Sequence, residues 1–158
     1  MVHEVYRLRN MSLHARYSGS VKAVAARHGG VEPLQRLLFH GCAHPEPCRT
    51  IAAQGFDHRL HATHGRVYGD GVYQARDVGY SHNYAPADSG SGWHHMFLSA
   101  VAVGSSCTGR KSMKRPDLRE GSTTVHHDTA VDDVDDPSIF VVFESGATQV
   151  LPLYVVAY

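Results

Sequence analysis

The sequence has no long hydrophobic run: nowhere do apolar residues approach the roughly eighteen in succession that a membrane-spanning helix needs. Its first residues, Met1-Val2-His3-Glu4-Val5, carry neither a basic segment nor an apolar stretch of the kind that directs secretion. An intracellular chain, cytoplasmic or nuclear and without membrane attachment, is expected. Net charge is missing as well. Fifteen Lys and Arg balance fifteen Asp and Glu, so no whole-domain field draws the chain to nucleic acid or anionic lipid, and such a role would need a local patch. Cysteine is scarce. Cys42, Cys48 and Cys107 make an odd count without Cys-x-x-Cys spacing, which argues against a zinc ribbon and suits a reducing compartment better than a disulfide framework. There is no internal repeat or low-complexity tract, and the five aspartates between Asp128 and Asp136 lack the glycine and closing glutamate of a calcium loop.

What is present fits one globular domain. The chain has 158 residues, 42% of them hydrophobic and 19% charged, enough for one substantial core and too few for two. Thirteen histidines are the unusual item, including His58, His61 and His64 at every third position and the doublets His94-His95 and His126-His127. A histidine-rich metal protein is one reading. The triplet, however, follows Gly55 and abuts Gly65 with no His-Glu-x-x-His helix, so exposed loop histidines and no metal are expected.

Periodicity places the elements. Loose alternation over 2–8 predicts a strand, and 20–30 reads as a helix capped by Ser20 and ended by Gly29. Leu37-Leu38-Phe39 is a short apolar run that opens into a loop at His40 and Gly41. A second helix starts near Pro45 or Pro47 and stops before Gly55, because proline is tolerated in a first turn and glycine ends helices. Val72-Tyr73 reads as a brief strand. The stretch 77–85 then sets Val78, Ser81 and Ala85 on one helical face, with Ser81 and Tyr84 projecting near each other. Strands are expected over 96–103, 139–143 and 149–157. The chemistry-bearing block is Gly69 to Ala85: two glycines around one residue permit close backbone approach, and two tyrosines and a serine follow on a strand running into a helix. With Phe39-His40-Gly41-Cys42 upstream, it reads as a pocket for NAD.

The same residues, in order, resemble the catalytic domain of the poly(ADP-ribose) polymerases, in particular the mono-ADP-ribosylating branch that includes zinc-finger members. The motifs are Val5-Tyr6-Arg7-Leu8-Arg9-Asn10 with Tyr17, Leu38-Phe39-His40-Gly41, Gly55-Phe56-Asp57-His58-Arg59 and the Gly69 to Ala85 block. Met96-Phe97-Leu98, Val103-Gly104, Asp128, Val131-Asp132, Pro137 to Phe143 and Leu151 to Val156 continue the series. One such motif is weak evidence, whereas this many in one order is specific.

The resemblance implies an α+β protein of the ADP-ribosyltransferase fold: a split mixed or antiparallel β core of two small sheets with flanking helices, and NAD+ as co-substrate in the cleft. It spans 1–158 as a single catalytic domain without the helical regulatory domain of DNA-dependent members. By resemblance His40 contacts the adenosine ribose and Gly41 reads the nicotinamide carboxamide through its backbone. Cys42 takes the place of a hydroxyl residue that would assist, Tyr73 lies beside the nicotinamide ribose, Ser81 donates to the carboxamide oxygen and Tyr84 stacks on the ring. Asp57 and Arg59 match the loop over the adenosine end, and Ala75 belongs to the same binding set.

The third signature position carries the reaction type. Where chain-elongating relatives have glutamate, this sequence has Ile139, which accepts no hydrogen bond and so cannot polarise an incoming ribose hydroxyl. Glu144 is a poor substitute, since an odd separation along a strand puts it on the opposite face. Transfer of a single ADP-ribose to a protein side chain, Asp, Glu or another, with automodification as one outcome, is the expected function. The alternative is a weak or inactive module that binds NAD or ADP-ribose. A third relative of the fold, the RNA 2′-phosphotransferases, is disfavoured because the expected phosphate-binding arginines are missing. Gln74 stands where an aromatic is usual, Asp70 where Lys is frequent and His127 where Tyr is frequent. A monomer without membrane or nucleic-acid partners is expected. The basic run Arg110, Lys111, Lys114, Arg115 and Arg119 beside the aspartates reads as a solvated loop, or else as a surface for an acceptor protein or self-modification.

Overall fold

Asn10 opens the first helix. In the computed structural model, which describes residues 1–31, 34–57, 66–143 and 148–158, the Asn10 side chain accepts from Leu13 N at 3.1 Å and caps α1, Met11–Arg27. The same side chain donates to Ala53 O at 2.9 Å, and Arg16 donates to Gln54 O at 2.7 Å. The start of α1 thereby satisfies the last carbonyls of α2, Pro45–Gln54. Leu13, Tyr17, Ser20 and Val24 form the buried stripe of α1 at helical spacing. The helix begins nine residues earlier than Ser20. Ser20 sits mid-helix, with its hydroxyl against that of Thr148 at 2.7 Å, and Asn10 is the cap. The expected stop is correct: His28 is the C-cap, and Gly30 N reaches Ala25 O at 2.8 Å.

Eight strands follow the order β1-β8-β4-β2-β3-β7-β6-β5 across one sheet. They are β1 Glu4–Arg7, β2 Gln35–Cys42, β3 Val72–Ala75, β4 His95–Ala102, β5 Ser106–Thr108, β6 Thr129–Val131, β7 Ile139–Val142 and β8 Val150–Ala157. All pairs are antiparallel except β5 with β6, so the sheet is mixed. A half made of β1, β8, β4 and β2 and a half made of β3, β7, β6 and β5 meet between β2 and β3 through one residue pair, Phe39 with Ala75. The two small sheets implied by the resemblance are therefore halves of one ladder, joined at its narrowest point. β5 and β6, absent from the periodicity reading, are three residues each, too short for an alternation signal.

The core lies on both faces of the sheet. On one, Leu38, Phe97, Val101 and Val150 pack against Cys48, Ile51 and Phe56; on the other, Leu13 and Tyr17 cover Ala102 and Leu151. A third cluster of Met113, Ala130, Ile139 and Val141 belongs to the short half, with Tyr68, Tyr73 and Phe143 against it. Among the described residues no helix is long and apolar enough to cross a membrane.

One expectation fails outright. Cys42 and Cys48 are joined in a disulfide with their Cα atoms 6.0 Å apart, leaving Cys107 as the free thiol. Strand alternation puts Cys42 on the face of β2 that looks toward α2, where Cys48 meets it. The cysteine count therefore no longer argues for a reducing compartment.

Candidate active site

Part of the set singled out in the sequence lies close together where the two half-sheets join: His40 with Tyr73, and Gly41 with the backbone of Ser81 and Tyr84. His40, on β2, turns its Nδ1 to the carbonyl oxygen of Tyr73 on β3 at 2.7 Å. A carbonyl only accepts, so Nδ1 carries the proton and Nε2 is the acceptor of the neutral ring. Phe56 holds the ring from the side, its centroid 4.9 Å away and nearly perpendicular. The His40–Tyr73 bond crosses from β2 to β3 beside the single backbone pair that joins the two halves.

Gly41 is required by packing. A Cβ built on it would lie 2.1 Å from Ser81 O and 3.0 Å from the carbonyl carbon of Tyr84. The short helix α3, Val78–His82, therefore rests its last turn directly on the β2 backbone. This brings Ser81 (3% exposed) and Tyr84 (42% exposed) to the strand end. Tyr84 tilts toward Tyr80, ring centroids 5.3 Å and hydroxyls 3.3 Å apart. Burial and the neighbouring Tyr84 hydroxyl push the Tyr80 phenol well above its ordinary range.

Tyr73 anchors the turn before its own strand. Its hydroxyl donates to Gly69 O and accepts from Tyr68 N, each at 2.9 Å, and burial raises its pKa. The close approach that Gly69 and Gly71 allow is to β7 and the residue after it: a Cβ at Gly71 would meet Val142 O at 2.6 Å, and one at Gly69 the Phe143 ring at 2.6 Å. So the Gly-Asp-Gly turn clamps β3 onto β7. Ile139 (6% exposed) pairs with Ala75 (2% exposed) across those strands. Alternation puts Ile139 on the face that carries Tyr73, against Met113.

Two expectations about side chains change. Cys42 is bonded to Cys48 and 3% exposed, so its sulfur stays in the core and does not stand in for a pocket hydroxyl. Gln74, on the face of β3 opposite Tyr73, is 1% exposed with neither amide atom hydrogen-bonded. Asp57 directly follows Phe56. Arg59, the triplet His58, His61 and His64, and Glu144 lie outside the described residues. Among the described residues no three His, Cys, Asp or Glu side chains gather as metal ligands.

Asp132, present in the motif series without a role, holds the start of β7. Its Oδ1 accepts from Ser138 N and Ile139 N, each at 2.9 Å, and Oδ2 accepts from the Ser138 hydroxyl. Burial pushes this carboxyl up, but the bonds from Ser138 and Ile139 prevail and hold it below the usual range. Asp132 thus sets where Ile139 enters β7. The readable signal is an aspartate shortly before a Pro-Ser strand start, a common local cap.

Comparison with known proteins gives the family. The model of the poly(ADP-ribose) polymerase catalytic domain matches residues 1–158. Protein mono-ADP-ribosyltransferase PARP12 of Mus musculus is 40% identical over 157 residues, covering 99% of this chain and 21% of that protein. PARP12 of Homo sapiens is 39% identical over 157 residues, with 99% and 22% covered. Protein mono-ADP-ribosyltransferase PARP11 of Mus musculus is 29% identical over 175 residues, with 99% and 52% covered. The chain spans about a fifth of the length of the PARP12 relatives. With the family model matched from end to end, the chain belongs to the poly(ADP-ribose) polymerase catalytic domain family.

Proposed function

We propose that this chain is a protein mono-ADP-ribosyltransferase: it cleaves NAD+ at the nicotinamide glycosidic bond and transfers one ADP-ribose to a protein side chain without elongation. The observation that carries the reading is the placement of His40 with Tyr73, and of Gly41 with the backbone of Ser81 and Tyr84, where the half-sheets join. The residues fit the co-substrate. Tyr84 offers a half-exposed ring for stacking, and His40 has one nitrogen fixed as donor to Tyr73, which sets its tautomer. When bound, NAD+ supplies a leaving group that already bears positive charge, so its departure needs little acid catalysis.

The protein's part is then position and electrostatics. His40 and Tyr73 orient the ribose end and remain locked to each other. The backbone of Gly41 and the hydroxyl of Ser81 hold the carboxamide, and Tyr84 covers the nicotinamide face. Ile139, apolar and packed on Met113, gives an incoming sugar hydroxyl no acceptor, which limits transfer to one unit. An acceptor carboxylate brings its own negative charge to the reacting carbon.

Nicotinamide release and NAD-dependent labelling, compared between wild type and His40→Ala or Tyr73→Ala, test the reading. The proposal expects labelled wild-type protein and loss of label in both variants. Binding of NAD+ with no release or labelling would make the chain a binding module instead.

A further inference from the structure

The basic run in the β5–β6 connection does not lie as an open loop. Residues 110–118 fold back to line a cleft of about 440 Å³, with His126 at its edge. Met113 N donates to Arg110 O at 3.1 Å and His127 N to Asp117 O at 2.9 Å within the loop, and Asp70 N, in the turn before β3, donates to Met113 O at 2.7 Å. Ser112 is held at φ 67°, in the left-handed region that a non-glycine residue seldom enters. Four cations line the cleft against one carboxylate, Asp117. Arg110 takes that carboxylate bidentately at 2.6 and 2.8 Å. Lys111, Lys114 and Arg115 are exposed and, among the described residues, have no ion-pair partner.

The floor of this cleft is the back of the candidate site. Met113 is among its lining residues, and Met113, 5% exposed, belongs to one buried cluster with Ile139, against which Tyr73 packs. A ligand held by the three unmatched cations would therefore lie against the segment that carries Met113.

We propose that this cleft docks an acidic segment of the protein acceptor, through Lys111, Lys114 and Arg115. The assignment rests on the transferase reading above and names its substrate class: a peptide with two or more carboxylates near the modified side chain. Charge complementarity is the argument. Nucleic acid fits less well. Single strands are held by stacking on aromatic side chains along a basic track, whereas no Phe, Tyr or Trp lines this cleft, and the chain as a whole is neutral.

Fluorescence anisotropy with three labelled probes tests this: a peptide rich in Asp and Glu, its Asn/Gln counterpart, and single-stranded RNA of equal length. The acidic peptide should bind and the neutral peptide should not. The K111Q/K114Q/R115Q variant should weaken binding roughly tenfold or more, as three lost exposed charges allow. K111R/K114R, which keeps the charge, should retain it and thereby guards against a folding artefact. Equal binding of both peptides, no loss in the glutamine variant, or tighter binding of the RNA would overturn the proposal. Nicotinamide release by the wild-type chain is read in parallel. Its absence with acidic-peptide binding intact would refute the transferase reading alone, and its presence without peptide binding would refute the docking site alone.

Discussion

Gly41→Ala should disable this protein through packing. A methyl at Gly41 would lie 2.1 Å from Ser81 O, where carbon and oxygen in contact sit ~3.3 Å apart, so α3 must withdraw by roughly 1 Å. The neighbouring atoms are backbone atoms of Ser81, Tyr84 and Ala85, which no rotamer change can move aside. Overpacking of this kind costs about 1–3 kcal/mol, which for a domain of this size lowers Tm on the order of 2–12 °C. The larger effect should be on turnover. The carbonyl that moves belongs to Ser81, and Tyr84 follows it, so both pocket residues shift together; a misplacement of about 1 Å can cost ~100-fold in rate. Gly79→Ala is the control, because nothing lies within 4 Å of a Cβ there and alanine is the better helix former by about 0.5–1 kcal/mol. Thermal melts and nicotinamide release decide the matter. A Gly41→Ala protein with wild-type Tm and wild-type turnover would refute the packing argument.

Tyr73→Phe keeps the ring but strips Tyr68 N and Gly69 O of a shared partner. Urea denaturation should show a loss of ~1–3 kcal/mol, with activity falling less than in Tyr73→Ala. Asp128 is buried among Arg27, His28, Arg119 and Ser105. Burial alone would raise its pKa, but hydrogen bonds from His28, Ser105 and Arg27 hold it below the usual range. Its stabilisation is therefore fully present above the ordinary value of ~3.9 and is lost as pH falls through the depressed folded value. Tm measured against pH should show that acid decline flattened in Asp128→Asn, which at neutral pH should be about 1–3 kcal/mol less stable, because charge-assisted hydrogen bonds from Arg27 and Arg119 are weakened while both side chains, 42% and 21% exposed, still reach water. Gln74→Leu replaces a buried amide lacking hydrogen bonds with an apolar side chain of similar size and should raise stability by ~1–3 kcal/mol in the same denaturation assay.

Much of the fold is written in patterns that local physics makes readable. Pro45 and Gly55 bracket α2, and β7 and β8 stand where apolar runs and turn residues put them. β2 instead runs Gln35–Cys42, its pairing with β4 carrying the strand through His40 and Gly41, where the sequence pattern predicts a loop. The start of α1 escaped because Ser18 and Gly19 interrupt the sequence in mid-helix, and tertiary burial of Leu13 and Tyr17 overrides their low propensity. β5 and β6 exist only through pairing with each other and with β7, information that is not local. The Cys42–Cys48 bond depended on a strand end meeting a helix start, which spacing does not fix. The site was legible as residue types in order. Its reasons were not: Gly41 answers to α3, and Gly69 and Gly71 answer to β7 and Phe143, contacts that only the folded chain creates.

The central claim is one ADP-ribose per acceptor side chain, and the direct measurement is mass mapping of sites after incubation with labelled NAD+. The account predicts nicotinamide release together with single ADP-ribose additions at each modified residue, including any on the chain itself, and no extended polymer on a gel. Chains of linked ADP-ribose units on one residue, with Ile139 in place, would contradict it.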